Sequence, residues 1–124
     1  MPEEQPPSYA AQQADLRLNL RRPLLVERIP CEDTQKTFFG YAKNLSRGGL
    51  FVATLKPRQP GDEFILEMTL PIREPLALRC RCEVVWTRNF RRKSPLEPGM
   101  GLRFLDLTEE VAARIDEWVR GESP

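Results

Sequence analysis

Short runs in which apolar and polar residues alternate dominate the chain from Pro23 onward, and each run ends at a turn-forming cluster. The first spans residues 24–29 (Leu24, Leu25, Val26 and Ile29 its apolar members) and stops at Pro30, which has no N–H to give a sheet ladder. Residues 37–42 are aromatic and β-prone, with Gly40 marking a bulge or a close backbone contact. Residues 50–54 form a third strand. Residues 63–70 alternate cleanly, placing Phe64, Leu66, Met68 and Leu70 on one face. In residues 76–87 Leu76, Leu78, Cys80, Cys82 and Val84 face one way and Arg79, Arg81 and Glu83 the other. Val85 and Trp86 break that alternation, which predicts a bulge or a part buried on both faces. Residues 88–98 read as a long basic loop and residues 99–105 as a last strand.

The period then changes. Val111, Ile115, Trp118 and Val119 fall at i, i+4, i+7 and i+8, one apolar stripe of a helix over residues 108–120. Thr108 is its N-cap, Glu109 and Glu110 suit the positive end of the helix dipole, and Gly121 reads as the C′ stop. Six short strands followed by one helix predict a mainly β protein: a small six-stranded antiparallel barrel with a C-terminal helix. No strand–helix alternation exists, which excludes a parallel nucleotide-binding sheet. Residues 1–14, rich in proline and glutamine, read as a disordered tail, leaving one domain over residues 15–120 whose first part, residues 15–22, is a basic linker.

Composition narrows the chemistry. Nineteen basic against eighteen acidic residues in 124 leave a net charge of +1, so any anion site is local and no broad attraction to nucleic acid exists. An aromatic ladder for single-stranded nucleic acid is also missing. No apolar run approaches ~20 residues, so no membrane span is expected and the reading is a soluble, cytoplasmic protein. The chain has no histidine, no nucleophile–base pair and no plausible set of four zinc ligands, so we expect neither an enzyme nor a metal centre. Of three cysteines, Cys80 and Cys82 share a strand face and read as packed thiols. Trp86 reads as a packing residue or as a platform for a base.

Two polar segments stand out. Asn44-Leu45-Ser46-Arg47-Gly48-Gly49 lies between the second and third strands. Its side chains can bond nearby backbone, and its glycines permit tight turns and close approach of a ligand, a concave nest for an anion. The same composition also serves a plain turn. Upstream, Arg17-Leu18-Asn19-Leu20-Arg21-Arg22 supplies planar guanidinium forks that bond phosphate oxygens or the guanine O6/N7 edge. Because leucines alternate with those residues, a solvated segment or an edge strand fits it too.

Arg-x-x-x-Arg followed by Asn-x-Ser-x-x-Gly resembles the paired motif of PilZ domains. Phe38-Phe39, Gly48-Gly49-Leu50-Phe51, Pro60-Gly61-Asp62-Glu63-Phe64, Glu83-Val84-Val85-Trp86 and Gly99-Met100-Gly101-Leu102-Arg103-Phe104 extend the likeness, and resemble the PilZ-like paralogue group abundant in myxobacteria. The resemblance implies a receptor for cyclic di-GMP, contacted by Arg17, Arg21, Asn44, Ser46 and Gly49, with Arg22, Arg47 and Gly48 beside them. It also implies an unidentified motility or signalling protein as partner, reached when ligand orders the arginine linker. Two departures are visible: Asn44 stands where many members have Asp, and leucines surround the arginines. The alternative implied by the same family is an interaction adaptor that has lost the nucleotide.

Overall fold

The computed structural model describes residues 17–29 and 37–122. The tail at residues 1–14, the start of the linker, and Cys31 lie outside them. Within them the chain forms β1 (Leu18–Ile29), β2 (Thr37–Leu45), β3 (Gly49–Ala53), β4 (Glu63–Leu70), β5 (Leu76–Arg88), β6 (Gly99–Phe104) and the helix α1 (Glu109–Glu122). All strand pairs are antiparallel and close a barrel in the order β1-β2-β3-β6-β5-β4. This is the architecture the alternating runs predict.

Period-two alternation fills the barrel. Leu45, Leu50, Val52, Leu66, Leu70, Val84 and Leu102 are essentially fully buried and form one cluster with Phe64, Met68, Leu78 and Met100. Burying one such side chain contributes roughly 1.5–3 kcal/mol. Cys80 and Cys82 point inward as buried free thiols. Burial, then the nearby Asp106 charge, pushes the Cys80 thiol from 9.0 to about 12, and Cys82 rises further, mainly by burial. On the outside of β4, β5 and β6 the interleaved positions pair charges: Arg79 with Glu67 at 2.8 Å, Arg81 with Glu63 at 2.7 Å and Arg103 with Glu83 at 2.5 Å.

Breaks in register shape the wall. Val84 pairs with Leu102 and Trp86 with Gly101, so Val85 is the extra residue and Trp86 swings to the outer face. Gly40 pairs with Val26, and a Cβ there would strike the Ala53 carbonyl oxygen, a close backbone contact as its sequence position suggests.

Three elements differ from the sequence expectation. β1 starts at Leu18 rather than at Leu24, because Leu18 and Leu20 pack against the core and Leu18 and Asn19 pair with Leu45 and Asn44. The arginine linker is therefore mostly strand. Asn44 and Leu45 belong to β2, which shortens the turn to residues 46–48. Finally, α1 runs on to Glu122 with Gly121 inside it. Among the described residues only Gly61 has a positive-φ glycine backbone, so Gly121 is not a left-handed stop.

The helix is nonetheless laid down by the signals read from the sequence. Thr108 caps it, its Oγ1 accepting from Val111 N–H at 3.2 Å. Ile115 and Val119 are fully buried, and Val111 and Trp118 pack beside them on the barrel core.

Candidate functional site

Arg17, Asn44 and Ser46 meet at the β1–β2 end of the barrel. Arg17 Nη1 donates to Asn44 Oδ1 at 2.5 Å, and its Nη2 donates to Ser46 Oγ at 3.4 Å. The strand ladder sets this up: the pairs Leu18–Leu45 and Asn19–Asn44 bring Arg17 level with the turn. Asn44 Oδ1 also accepts from the Phe51 N–H at 3.1 Å. Its oxygen is thus committed twice, and its amide nitrogen is the donor the residue can still offer.

Ser46 builds the turn. Its side chain is fully buried, accepts from the Gly48 N–H at 3.2 Å and donates to the Gly49 carbonyl at 3.5 Å. The Ser46 N–H bonds the Gly49 carbonyl at 2.9 Å, and the Gly48 carbonyl accepts from Phe104 N–H at 2.9 Å. The N–H groups of Ser46 and Gly48 are therefore spent inside the protein, and those two do not form the open anion nest suggested by the sequence. Gly49 has a structural reason of its own: a Cβ there would overlap the Leu102 carbonyl of β6. Its close approach is to a neighbouring strand.

Arg21 and Arg22 sit differently. Between the pairs Asn19–Asn44 and Leu24–Ala42, β1 spends residues 20–23 against the single residue Lys43. The excess bulges outward and leaves Arg21, Arg22 and Pro23 exposed. Pro23 suits this place, having no N–H to leave unpaired. Among the described residues neither Arg21 nor Arg22 has a hydrogen-bond or ionic partner. Arg47, by contrast, turns towards α1, where it meets both carboxylate oxygens of Glu109 at 3.2 and 3.3 Å and Asp116 at 3.8 Å.

Charge follows from these contacts. Arg47 is balanced by two carboxylates, and the contacts of Arg17 include two neutral side chains, Asn44 and Ser46. Arg21 and Arg22, exposed on the bulge, present a local cationic edge on a nearly neutral molecule.

One feature of this wall was not assembled from the sequence. Asn44, Phe51, Gly101 and Trp86 are successive cross-strand partners on the outer face. Phe51 stacks on Trp86, with centroids 5.4 Å apart and planes at 12°, and the Arg88 guanidinium lies over both rings. Gly99 and Gly101 leave the room, since a Cβ at either would run into Phe51 or Trp86. Trp86 is thereby buried as a packing residue. The Gly99-x-Gly101 alternation opposite two aromatic strand positions was the signal that could have revealed it. The basic loop contributes less: Arg91, Arg92 and Lys93 are exposed, while Glu97 bonds Arg88 through its carbonyl at 2.9 Å and pairs with Lys43 at 3.2 Å.

The PilZ domain family model matches residues 15–121 of the chain. No curated protein matches it at the level of sequence. Among solved structures, the Bacillus subtilis inhibitor of motility (MotI/DgrA) aligns with a TM-score of 0.71 at 17% identity, over 89% of this chain and 50% of that one. YcgR from Escherichia coli in complex with c-di-GMP gives 0.69 at 14% identity, over 89% and 45%. The PilZ domain of YcgR with c-di-GMP, also from Escherichia coli, gives 0.65 at 16% identity, over 89% and 90%. The chain spans about half the length of the first two. At these identities the likeness is one of fold.

Proposed function

This chain belongs to the PilZ domain family, and on that premise we propose that it is a receptor for cyclic di-GMP that relays the messenger to a partner protein. The observation that carries the reading is the meeting of Arg17 with Asn44 and Ser46, residues of two motifs separated by 27 and 29 positions. The solved PilZ proteins YcgR and its isolated domain bind c-di-GMP, which supports the same ligand class here. In this reading Arg21 and Arg22, exposed on the bulge, supply bidentate donors to phosphate or to a guanine edge. Arg17 adds charge from its seat on Asn44 and Ser46, and the Asn44 amide adds a neutral donor. Gly48 and Gly49 keep the turn low and close to the wall. The module is a receptor with no catalytic step of its own, and the messenger it reads places it in the cytoplasm. Among the described residues no helix is long and apolar enough to cross a membrane.

Because β1 is already paired through Leu18 and Asn19, the change on binding is confined to Arg17 and the 20–23 bulge. Its output is a reshaped surface beside the barrel, offered to a motility, exopolysaccharide or related signalling protein. The inhibitor of motility among the similar folds supports the motility branch. A second reading draws on the same contact: Arg17 closes the motif internally, as it would in an adaptor that has given up the nucleotide. Calorimetric titration of the purified protein with cyclic di-GMP separates the two, since the adaptor gives no binding heat.

A further inference from the structure

The barrel wall is not uniform on its outside. Across β4, β5 and β6 the outward positions are charged pairs. Across β1, β2 and β3 an apolar row runs perpendicular to the strands: Leu25 pairs with Tyr41 and Tyr41 with Ala53. Leu25 is 50% exposed and Tyr41 46%, and Leu55, just past the end of β3, is 74% exposed. Beside Leu55 lies an open cleft of about 670 Å³ whose walls include Tyr41, Ala53, Leu55 and Pro98. Lys56, Arg58 and Glu97 also line it. A contiguous apolar patch of this sort on an otherwise ion-paired wall marks a contact surface.

The charges at its two edges say what covers it. Glu27, two residues beyond Leu25 on β1, stands opposite Glu67 of β4 and has no ionic partner among the described residues. Lys56, next to Leu55 at the β3 edge, is exposed and likewise has no ionic partner among them. One edge of the patch is therefore negative, the other positive, and the centre apolar. A two-fold axis along β2 brings the β1 edge of one copy onto the β3 edge of the other. Glu27 then meets Lys56 twice, and each Leu55 faces the β1 edge of the other copy, beside its Leu25. A patch that is its own complement is what an isologous interface requires.

We infer that this protein forms a two-fold dimer through the outer face of β1, β2 and β3, with Tyr41 near the axis, Leu55 of each copy against β1 of the other, and Glu27–Lys56 pairs at both ends. The inference is independent of nucleotide binding, which uses the other end of the same strands.

Sedimentation velocity over a concentration series tests it. The wild type is expected to shift to twice the mass of one chain as concentration rises, and Leu55→Asp to remain a single chain with an unchanged circular dichroism spectrum. Glu27→Lys and Lys56→Glu each place like charges together and weaken dimerisation, whereas the double exchange restores it. That recovery distinguishes a direct pair from a folding defect. A wild type that stays a single chain throughout overturns the proposal and leaves the patch to a different protein. A dimer that survives Leu55→Asp, or a double exchange no better than the singles, overturns it equally.

Discussion

Arg17 Nη1 and Asn44 Oδ1 stand 2.5 Å apart, joining a residue at the start of β1 to one near the end of β2. That single contact links the two motifs and gives Arg17 a structural role beside its proposed one. Arg17→Ala leaves Asn44 Oδ1 with the Phe51 N–H and Ser46 Oγ with the Gly48 N–H, so no buried acceptor is orphaned. The expected cost to the ligand-free protein is about 0.5–1.5 kcal/mol, read from urea unfolding midpoints. A linker detached from the barrel would give no change.

Gly49→Ala is expected to damage the fold itself. The added Cβ meets the Leu102 carbonyl, which is strand backbone and cannot swing aside. Overpacking of this kind costs roughly 1–3 kcal/mol. Thermal melts of the ligand-free variant should show the loss. A Gly49→Ala protein as stable as wild type but deficient in ligand binding would instead assign the glycine to the ligand.

Arg47→Ala should be mild. Its pair with Glu109 is exposed, Glu109 being mostly in solvent, and the more covered Asp116 lies 3.8 Å away and keeps Arg120 as a nearer partner at 3.3 Å. Such pairs contribute about 0–1 kcal/mol and weaken with salt. The unfolding midpoints of wild type and variant should converge as salt is raised; a large difference that persists in salt would contradict this.

The buried thiols give a pH dependence with a definite sign. Burial, with Asp106 adding to it, raises the Cys80 thiol from 9.0 to about 12, and Cys82 moves in the same direction. The unfolded chain ionises first, so the contribution of these groups to stability is complete below pH 9.0 and is lost as pH climbs towards about 12. A thiol-reactive dye at pH 8 should label Cys80 and Cys82 only in denaturant, because the reactive thiolate is suppressed and enclosed. Rapid labelling of either in the native protein would be inconsistent with the core described.

Much of the barrel was legible because its signals are local and periodic. Phe64, Leu66, Met68 and Leu70 alternate without a break, and β4 has the bounds the pattern predicts. Val85 announced its bulge by breaking the alternation before Trp86. The differences come from pairing, which a single strand's pattern does not carry. Leu18 and Leu20 read equally well as linker or strand until Leu45 and Asn44 are seen beside them. Of the candidate site, the two motifs were brought to one place only by the resemblance to PilZ domains, and the structure sets Arg17 of the first beside Asn44 and Ser46 of the second. The internal bonding of Ser46, the backbone reason for Gly49 and the Phe51–Trp86–Arg88 stack depend on cross-strand neighbours and were not legible.

Side-by-side calorimetry of wild type, Arg21→Ala and Arg21→Lys with cyclic di-GMP tests the central claim most directly. The account predicts saturable heat for wild type and a loss of about 1.5–3 kcal/mol, roughly ten- to a hundredfold, for Arg21→Ala, because one charge-assisted contact disappears. Arg21→Lys recovers little, since an ammonium reproduces neither the bidentate fork nor its stacking face. Arg21 and Arg22 project from the bulge, so these variants should melt with wild type when ligand-free. No binding heat from wild type at ligand on the order of millimolar, where even an affinity of ~4 kcal/mol is detected, would contradict the receptor and leave the nucleotide-free adaptor in its place.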